Sequence, residues 1–170
     1  QYGKGVEEDY AESVFWYKKA AEQGQAEAQT SLAWMYENGK GIEIDNREAV
    51  YWYKKAAEQG DTNAQLKLGI IYKNGSDTTE DYTQSFYWYK KVAEQGDAVA
   101  QLNIGIMYEY GKGVSEDYSQ AAFWYKKSAE QGHSEAQAIL GWFYLHGKGV
   151  ELDYIKAIDW YKKAAEQGYT

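Results

Sequence analysis

Several residue types that support particular chemistries are missing from this 170-residue chain. It contains no cysteine, which excludes disulfide bonds and thiolate catalysis and leaves the redox compartment open. It contains no proline, so no helix is interrupted by that residue. No apolar run approaches the roughly 20 residues that span a bilayer, and no signal-peptide pattern opens the chain. These absences exclude membrane insertion through a helix and leave a soluble protein as the expectation.

Positive charge is also scarce. The chain has 18 basic and 26 acidic residues, for a formal net charge of −8. No dense basic stripe is present, which argues against nucleic acid as the main partner. We expect a protein partner to be basic or apolar.

Aromatic residues are abundant, and the tryptophans recur at a constant interval. Five of the seven are separated by 36 residues each time, at Trp16, Trp52, Trp88, Trp124 and Trp160. A constant period is typical of a solenoid, in which each unit leaves an apolar face that only its neighbour can cover.

Each unit predicts two helices, A and B. Helix B is expected from Asn46 to Gln59, because its apolar residues follow a 3.6-residue period. Asp45 stands at its N-cap position and Gly60 where a left-handed residue would close it. Both recur in every unit, with the aspartate at Asp9, Asp81, Asp117 and Asp153. Helix A is expected from about Thr62 to Asn74, with a small residue at Gly69 that predicts close helix contact.

The whole chain is predicted to be a single array of repeat units. Residues 1–24 carry helix B alone, and four complete pairs follow at 25–60, 61–96, 97–132 and 133–168. Both ends fall within a unit, so we expect an array excised from a longer one. We also expect Trp16 to be less covered than Trp88, and weak head-to-tail self-association through the open ends.

The residues that recur from unit to unit resemble the pattern of a known repeat family. They are Leu-Gly, Gly-Lys-Gly-Val, Asp-Tyr and Trp-Tyr-Lys-Lys-Ala-Ala-Glu-Gln-Gly, and together they resemble the Sel-one-like repeat, a 36-residue relative of the tetratricopeptide repeat. The resemblance implies an all-α, right-handed superhelical solenoid of helix-turn-helix units. It also implies a non-catalytic adaptor that holds other proteins together, and a bacterial, secreted or periplasmic setting.

Function is expected where the units differ while the scaffold is constant. Five columns of helix A vary, and at about 100° per residue they fall within an arc of about 100°. In tetratricopeptide-like arrays the corresponding columns face the concave surface and contact peptides. We therefore predict a binding groove formed by Glu27, Thr30, Trp34, Glu37, Asn38, Asn63, Leu66, Ile70, Lys73, Asn74, Val99, Leu102, Ile106, Glu109, Tyr110, Glu135, Ala138, Trp142, Leu145 and His146.

The predicted groove is acidic and carries aromatic side chains. Its columns contain one lysine, Lys73, and four glutamates, Glu27, Glu37, Glu109 and Glu135. With Trp34 and Trp142, they favour a peptide that has Lys or Arg and an apolar anchor. The alternatives are that the two tryptophans pack as core between neighbouring helices, and that the glutamates form a solvated face.

Other basic and glycine-rich elements have structural interpretations. The Lys-Lys pairs of helix B stand four residues before a glutamate, as Lys54 does before Glu58, which predicts solvated intrahelical pairs. The Gly-Lys-Gly loops lack the strand and the Ser or Thr of a phosphate-binding loop. Their glycines are predicted to permit left-handed turns.

Candidate catalytic groups are few. The two histidines are His133, at a helix junction, and His146, at the groove end. Glu135 precedes His146 by eleven residues on the same face, which is about 16 Å along the axis. That distance is too long for a base and its orienting acid, and no cluster of metal ligands is present. We expect no enzyme activity, no metal and no cofactor.

Two further functions compete with peptide binding. Trp34, Tyr110 and Trp142 could serve as stacking platforms for sugar rings in a carbohydrate-binding module. Alternatively the array spaces other domains, with no ligand in the groove.

Overall fold

The computed structural model describes residues 10–75 and 81–169, which form nine helices and no strand. The helices are α1 Tyr10–Glu22, α2 Ala26–Asn38, α3 Asn46–Glu58, α4 Thr62–Asn74, α5 Tyr82–Glu94, α6 Ala98–Glu109, α7 Tyr118–Glu130, α8 Ser134–His146 and α9 Tyr154–Glu166. Even-numbered helices are the predicted A helices, and odd-numbered helices are the B helices. The predicted cap Asp9 lies outside the described residues, and so do Ser76 and Asp77, which follow Gly75 in the one loop whose sequence departs from Gly-Lys-Gly.

The helix termini follow the predicted capping chemistry. The Asp45 carboxylate accepts hydrogen bonds from the backbone N–H groups of Arg47 and Glu48, at 2.9 and 3.0 Å. The aspartates that precede α5, α7 and α9 cap their helices in the same way. Gly60 follows α3 with φ +95°, a left-handed conformation that favours glycine. Both predictions about the ends of helix B are confirmed.

The small residue of helix A lets an aromatic ring pack directly on its backbone. Tyr125 of α7 is fully buried, and a Cβ atom on Gly105 of α6 would lie 2.6 Å from its ring. Gly69 faces Tyr89 of α5 in the same manner, with a separation of 3.0 Å. The predicted close contact between helices is confirmed, and it is made between the A and B helices of one unit.

A repeated set of glutamine hydrogen bonds, here called the glutamine ladder, links buried glutamines of the A helices to exposed glutamines that follow the B helices, and the sequence interpretation did not foresee it. Gln65 is 4% exposed, and its Nε2 donates to the Ala57 carbonyl at 3.0 Å. Its Oε1 accepts from Gln95 Nε2 at 3.1 Å. The same pairing joins Gln59 to Gln29, Gln131 to Gln101, and Gln167 to Gln137. The Gln–Gln pairs thus join the two helices of one unit, whereas the bond from Gln65 to the Ala57 carbonyl satisfies a buried polar group of the unit before it.

The loop between helices A and B also approaches the preceding unit closely. Gly113 has φ +72°, and a Cβ atom there would lie 2.1 Å from the carbonyl oxygen of Tyr82, at the start of α5. Glycine at this position thus allows the loop to pack against the backbone of α5, in addition to forming the predicted left-handed turn.

The tryptophan of helix B is buried inside the array and exposed at α1. Trp52, Trp88 and Trp124 are between 5% and 9% exposed. Trp16, in the same column, is 58% exposed. The prediction that Trp16 is less covered than Trp88 is confirmed.

Candidate binding groove

The A helices lie side by side, which brings their variable columns onto one surface. Lys67 of α4 reaches the carboxylate of Glu37 on α2, with Nζ–Oε2 at 3.0 Å. Lys73 of α4 donates to Asn103 Oδ1 on α6, also at 3.0 Å. We call the surface formed by the predicted columns of α2, α4, α6 and α8 the A-helix groove.

One cavity of about 640 Å³ opens between α2 and α4. Five predicted groove residues line it: Thr30, Trp34, Asn63, Leu66 and Ile70. Trp34 and Ile70 are each 39% exposed and belong to none of the core clusters. The remaining lining residues are Tyr10, Ser13, Tyr17, Ser31, Met35, Tyr53 and Lys67. We call it the Trp34 cavity.

A second cavity of about 440 Å³ opens between α6 and α8. Five predicted residues line it as well: Ile106, Glu109, Tyr110, Glu135 and Trp142. Tyr125 and Ile139 complete its wall. Trp142 is 39% exposed, so it does not pack as core. We call it the Trp142 cavity.

Ten predicted residues line neither cavity. They are Glu27, Glu37, Asn38, Lys73, Asn74, Val99, Leu102, Ala138, Leu145 and His146. Asn38 donates to the Trp34 carbonyl at 2.8 Å, and His146 Nδ1 lies 2.9 Å from the Trp142 carbonyl. These two side chains satisfy carbonyls in the last turn of their own helices.

The prediction for Leu102 is wrong. This side chain is 5% exposed and belongs to a core cluster with Tyr125 and Leu140, whereas its counterpart Leu66 lines the Trp34 cavity. Leu102 therefore offers almost no surface to a ligand.

The acidic character of the groove is not uniform, which corrects the charge count made from sequence. Glu37 pairs with Lys67 and also accepts a hydrogen bond from the Tyr53 hydroxyl at 2.7 Å. Burial, followed by this hydrogen bond, raises the pKa of Tyr53 well above its ordinary value. The negative charge of Glu37 is therefore neutralised by a lysine that the predicted columns did not include.

Carboxylates without a cationic partner are found at the Trp142 cavity. Glu109 accepts from the Tyr125 hydroxyl at 2.5 Å, and burial together with this bond raises the pKa of Tyr125. The Glu109 charge also raises the pKa of Tyr110. Within residues 10–75 and 81–169, neither Glu109 nor Glu135 takes part in an ion pair.

One variable column was missed by the sequence interpretation. It consists of Ser31, Lys67, Asn103 and Ile139, which lie one position after the predicted column that begins with Thr30. Three of the four line a cavity, and Asn103 holds Lys73. The signal was available, because this column changes residue in every unit and lies three residues before Trp34 on the same helical face.

The B helices carry the lysine pairs. The predicted pair Lys54–Glu58 does not form an ion pair, although Lys126 and Glu130 approach to 3.7 Å. In α1, α3, α5 and α7 the second lysine of the pair instead lies over an exposed aromatic ring of its own helix, as Lys91 lies 5.1 Å from the Tyr87 ring centroid. In α9, Lys163 lies over the partly buried ring of Trp160. We call Phe15, Tyr51, Tyr87 and Phe123 the outer aromatic column; they are 48–52% exposed.

The described residues contain no group of His, Asp or Glu side chains that could hold a metal ion. Among the helices given above, none is both long and apolar enough to span a membrane.

Comparison with known proteins identifies the family. A model of the Sel1 repeat matches five consecutive segments, residues 1–25, 26–61, 62–97, 98–133 and 134–169. The chain belongs to the Sel1 repeat family. Sel1 repeat proteins generally mediate protein–protein interaction and are generally non-catalytic scaffolds.

Solved structures share this fold. The chain is 42% identical to a protective antigen of uropathogenic Escherichia coli that displays an SLR fold, with a TM-score of 0.90 over 98% of this chain and 36% of the antigen. A Sel1 repeat protein from Oxalobacter formigenes is 41% identical, with a TM-score of 0.88 over 98% of this chain and 68% of that protein. Cysteine rich protein B of Helicobacter pylori is 27% identical, with a TM-score of 0.59 over 81% of this chain and its own full length. No curated protein matches the chain. The expected solenoid architecture is confirmed.

Proposed function

We propose that this Sel1 repeat array is an adaptor that binds a segment of another protein in the A-helix groove. The observation that carries the proposal is the position of the two cavities. Both open on the face where the units differ, and each contains a tryptophan that is 39% exposed. Tryptophan, tyrosine and charged side chains in well-formed pockets dominate the binding energy of protein interfaces.

The surrounding scaffold supports this proposal. Core tyrosines and the glutamine ladder repeat from unit to unit, whereas the cavity walls differ in charge and shape. A fixed framework that carries variable side chains is suited to recognising one partner. We further propose that this partner segment is basic and apolar. At the Trp142 cavity, exposed aromatic rings lie beside two carboxylates that form no ion pair with any residue the structure describes.

The proposal is tested with two quadruple alanine variants. The groove variant replaces Trp34, Ile70, Ile106 and Tyr110. The control variant replaces the outer aromatic column. Proteins retained by the immobilised native chain are identified by mass spectrometry, and their binding to the two variants is then measured with purified components.

We expect the groove variant to lose the partner while the control variant retains it, with helicity unchanged in both and only a modest fall in melting temperature in the groove variant, because Ile106 packs partly against a core cluster. Loss of folding in the groove variant would assign its four residues to the core. Equal binding to the native chain and the groove variant would overturn the proposal.

The competing functions give different results in the same system. A carbohydrate-binding groove would change its tryptophan fluorescence on titration with oligosaccharides. A spacer array would yield no partner that depends on the groove residues.

A further inference from the structure

The two cavities of the A-helix groove differ in chemistry. The Trp34 cavity is lined by Trp34, Leu66 and Ile70, and the carboxylate near it, Glu37, is engaged by Lys67. Its net character is apolar. The Trp142 cavity has no such compensation, because Glu109 and Glu135 both line it and form no ion pair in the described residues.

The wall of the Trp142 cavity suits a long cationic side chain. Ile106 and Ile139 offer apolar surface for an aliphatic stem. The Tyr110 ring is 63% exposed and can stack on a guanidinium group. The Trp142 ring is 39% exposed, and His146 stacks on one of its faces at 4.3 Å, which leaves the other face for such a contact. Glu109, already oriented by the Tyr125 hydroxyl, presents its carboxylate in a fixed position.

A positive charge separates the two cavities. Lys73 of α4 points toward α6, where its Nζ is held by Asn103 at 3.0 Å. Along the groove the order is therefore apolar, positive and negative. A cationic side chain of the ligand is disfavoured at the centre and favoured at the Trp142 cavity.

We infer that the groove binds an extended partner segment in one register, with an apolar side chain in the Trp34 cavity and an arginine or lysine in the Trp142 cavity. This inference rests on the proposed function and specifies the chemistry of its partner. The cavities are two repeat steps apart, or roughly 16–20 Å at about 8–10 Å between neighbouring helices. An extended chain covers that distance in about six residues.

The test uses methyl NMR of the full chain, because its isoleucines report on each cavity separately. Ile70 lines the Trp34 cavity, and Ile106 and Ile139 line the Trp142 cavity. Ile155, which is 74% exposed and lies on α9 outside the groove, serves as the internal control. The probes are N-acetyl-leucine amide, N-acetyl-arginine amide, and a peptide that joins Leu to Arg across about six residues with polar uncharged spacers, made in both orders.

We expect the arginine probe to shift the methyl signals of Ile106 and Ile139, and the leucine probe to shift that of Ile70. The joined peptide should shift all three in at least one order, and should bind at least about tenfold more tightly than either probe because the second contact becomes intramolecular. A peptide with only three spacers should lose this gain.

Two changes, one in the peptide and one in the protein, measure how much the attraction between opposite charges contributes to binding. Replacing arginine by citrulline keeps the shape and removes the charge, and should weaken binding of the joined peptide about tenfold. The E109Q/E135Q variant should bind the arginine and citrulline peptides equally, while its Ile70 response to leucine is unchanged. Equal binding of the two peptides to the native chain, or an arginine shift as large at Ile155 as at Ile106, would overturn the inference.

Failure of the inference and failure of the proposed function give distinguishable results. If the groove variant loses the partner but citrulline binds as well as arginine, the groove binds a protein of other chemistry. If the groove variant retains the partner, the proposed function itself is wrong.

Discussion

Replacing Gly113 by alanine is expected to destabilise the protein more than the same replacement at Gly132. Both glycines flank α7 and both are left-handed, with φ +72° and +91°. Alanine in that conformation costs roughly 1–2 kcal/mol at either position. A Cβ atom on Gly132 meets no atom within 4 Å, so no further cost is expected there.

Gly113 carries an additional cost because it touches another unit. A Cβ atom there would lie 2.1 Å from the Tyr82 carbonyl oxygen and 2.8 Å from the backbone nitrogen of Thr83. These are backbone atoms in the first turn of α5, so they cannot rotate away as a side chain could. Overpacking of this kind typically costs about 1–3 kcal/mol. We therefore expect a total loss of about 2–5 kcal/mol for Gly113→Ala, against about 1–2 kcal/mol for Gly132→Ala.

The assay is urea unfolding followed by far-ultraviolet circular dichroism. Repeat arrays can unfold in parts, so the slopes of the two transitions are compared as well as their midpoints. Equal midpoints for the two variants would show that Gly113 is required only for its left-handed backbone conformation and not for its close approach to α5. The account of close inter-unit packing at this loop would then be refuted.

Three further changes have expected outcomes. Gln101→Leu should lower the free energy of unfolding by about 1–3 kcal/mol in the same assay, because the Ala93 carbonyl loses its side-chain donor and Gln131 Nε2 loses one of its two acceptors; an unchanged midpoint would contradict the ladder's role. Burial raises the pKa of Tyr89 from 10.0 to about 12, so its contribution to stability is complete below pH 10 and is lost as the pH rises toward 12. Urea midpoints measured across that range should fall less steeply in Tyr89→Phe than in the native chain. Lys67→Met should change the free energy of unfolding by no more than about 1 kcal/mol, because its pair with Glu37 is partly exposed, and a larger loss would show that the pair is structural.

The architecture could be predicted because each local signal in a unit agrees with the others. Asp45 and Gly60 mark the ends of a helix whose apolar stripe contains Trp52 and Tyr53, and the period of 36 residues multiplies that information. Gly69 could be assigned to a close contact because a glycine inside a helix needs a compensating reason. The identity of its partner, Tyr89, required the structure, since a period does not give the rotation of one helix against another.

The glutamine ladder was missed for a similar reason. Gln65 alone is indistinguishable from a solvated surface residue, and its hydrogen-bond partners are the Ala57 carbonyl of the preceding unit and Gln95, which lies 30 residues later. Both residues belong to the unit 61–96 but to different helices, and the apolar pattern of neither helix indicates that pair.

The candidate groove was predicted in outline but not in its charge. Lys67 was overlooked because it falls just outside the chosen columns, and its pairing with Glu37 crosses from one unit to the next. Leu102 and Leu66 occupy the same column, yet only Leu102 is buried. The exposure of a side chain in a given column of helix A therefore depends on its neighbours, which differ from unit to unit.

Placement of the partner on the A-helix groove is tested most directly by photo-crosslinking at two matched positions. Benzoylphenylalanine replaces either Ile70, in the groove and 39% exposed, or Tyr87, in the outer aromatic column and 49% exposed. The account predicts a cross-link between the partner protein and position 70, with none at position 87. Equal yields at both positions, or a cross-link at position 87 alone, would contradict it.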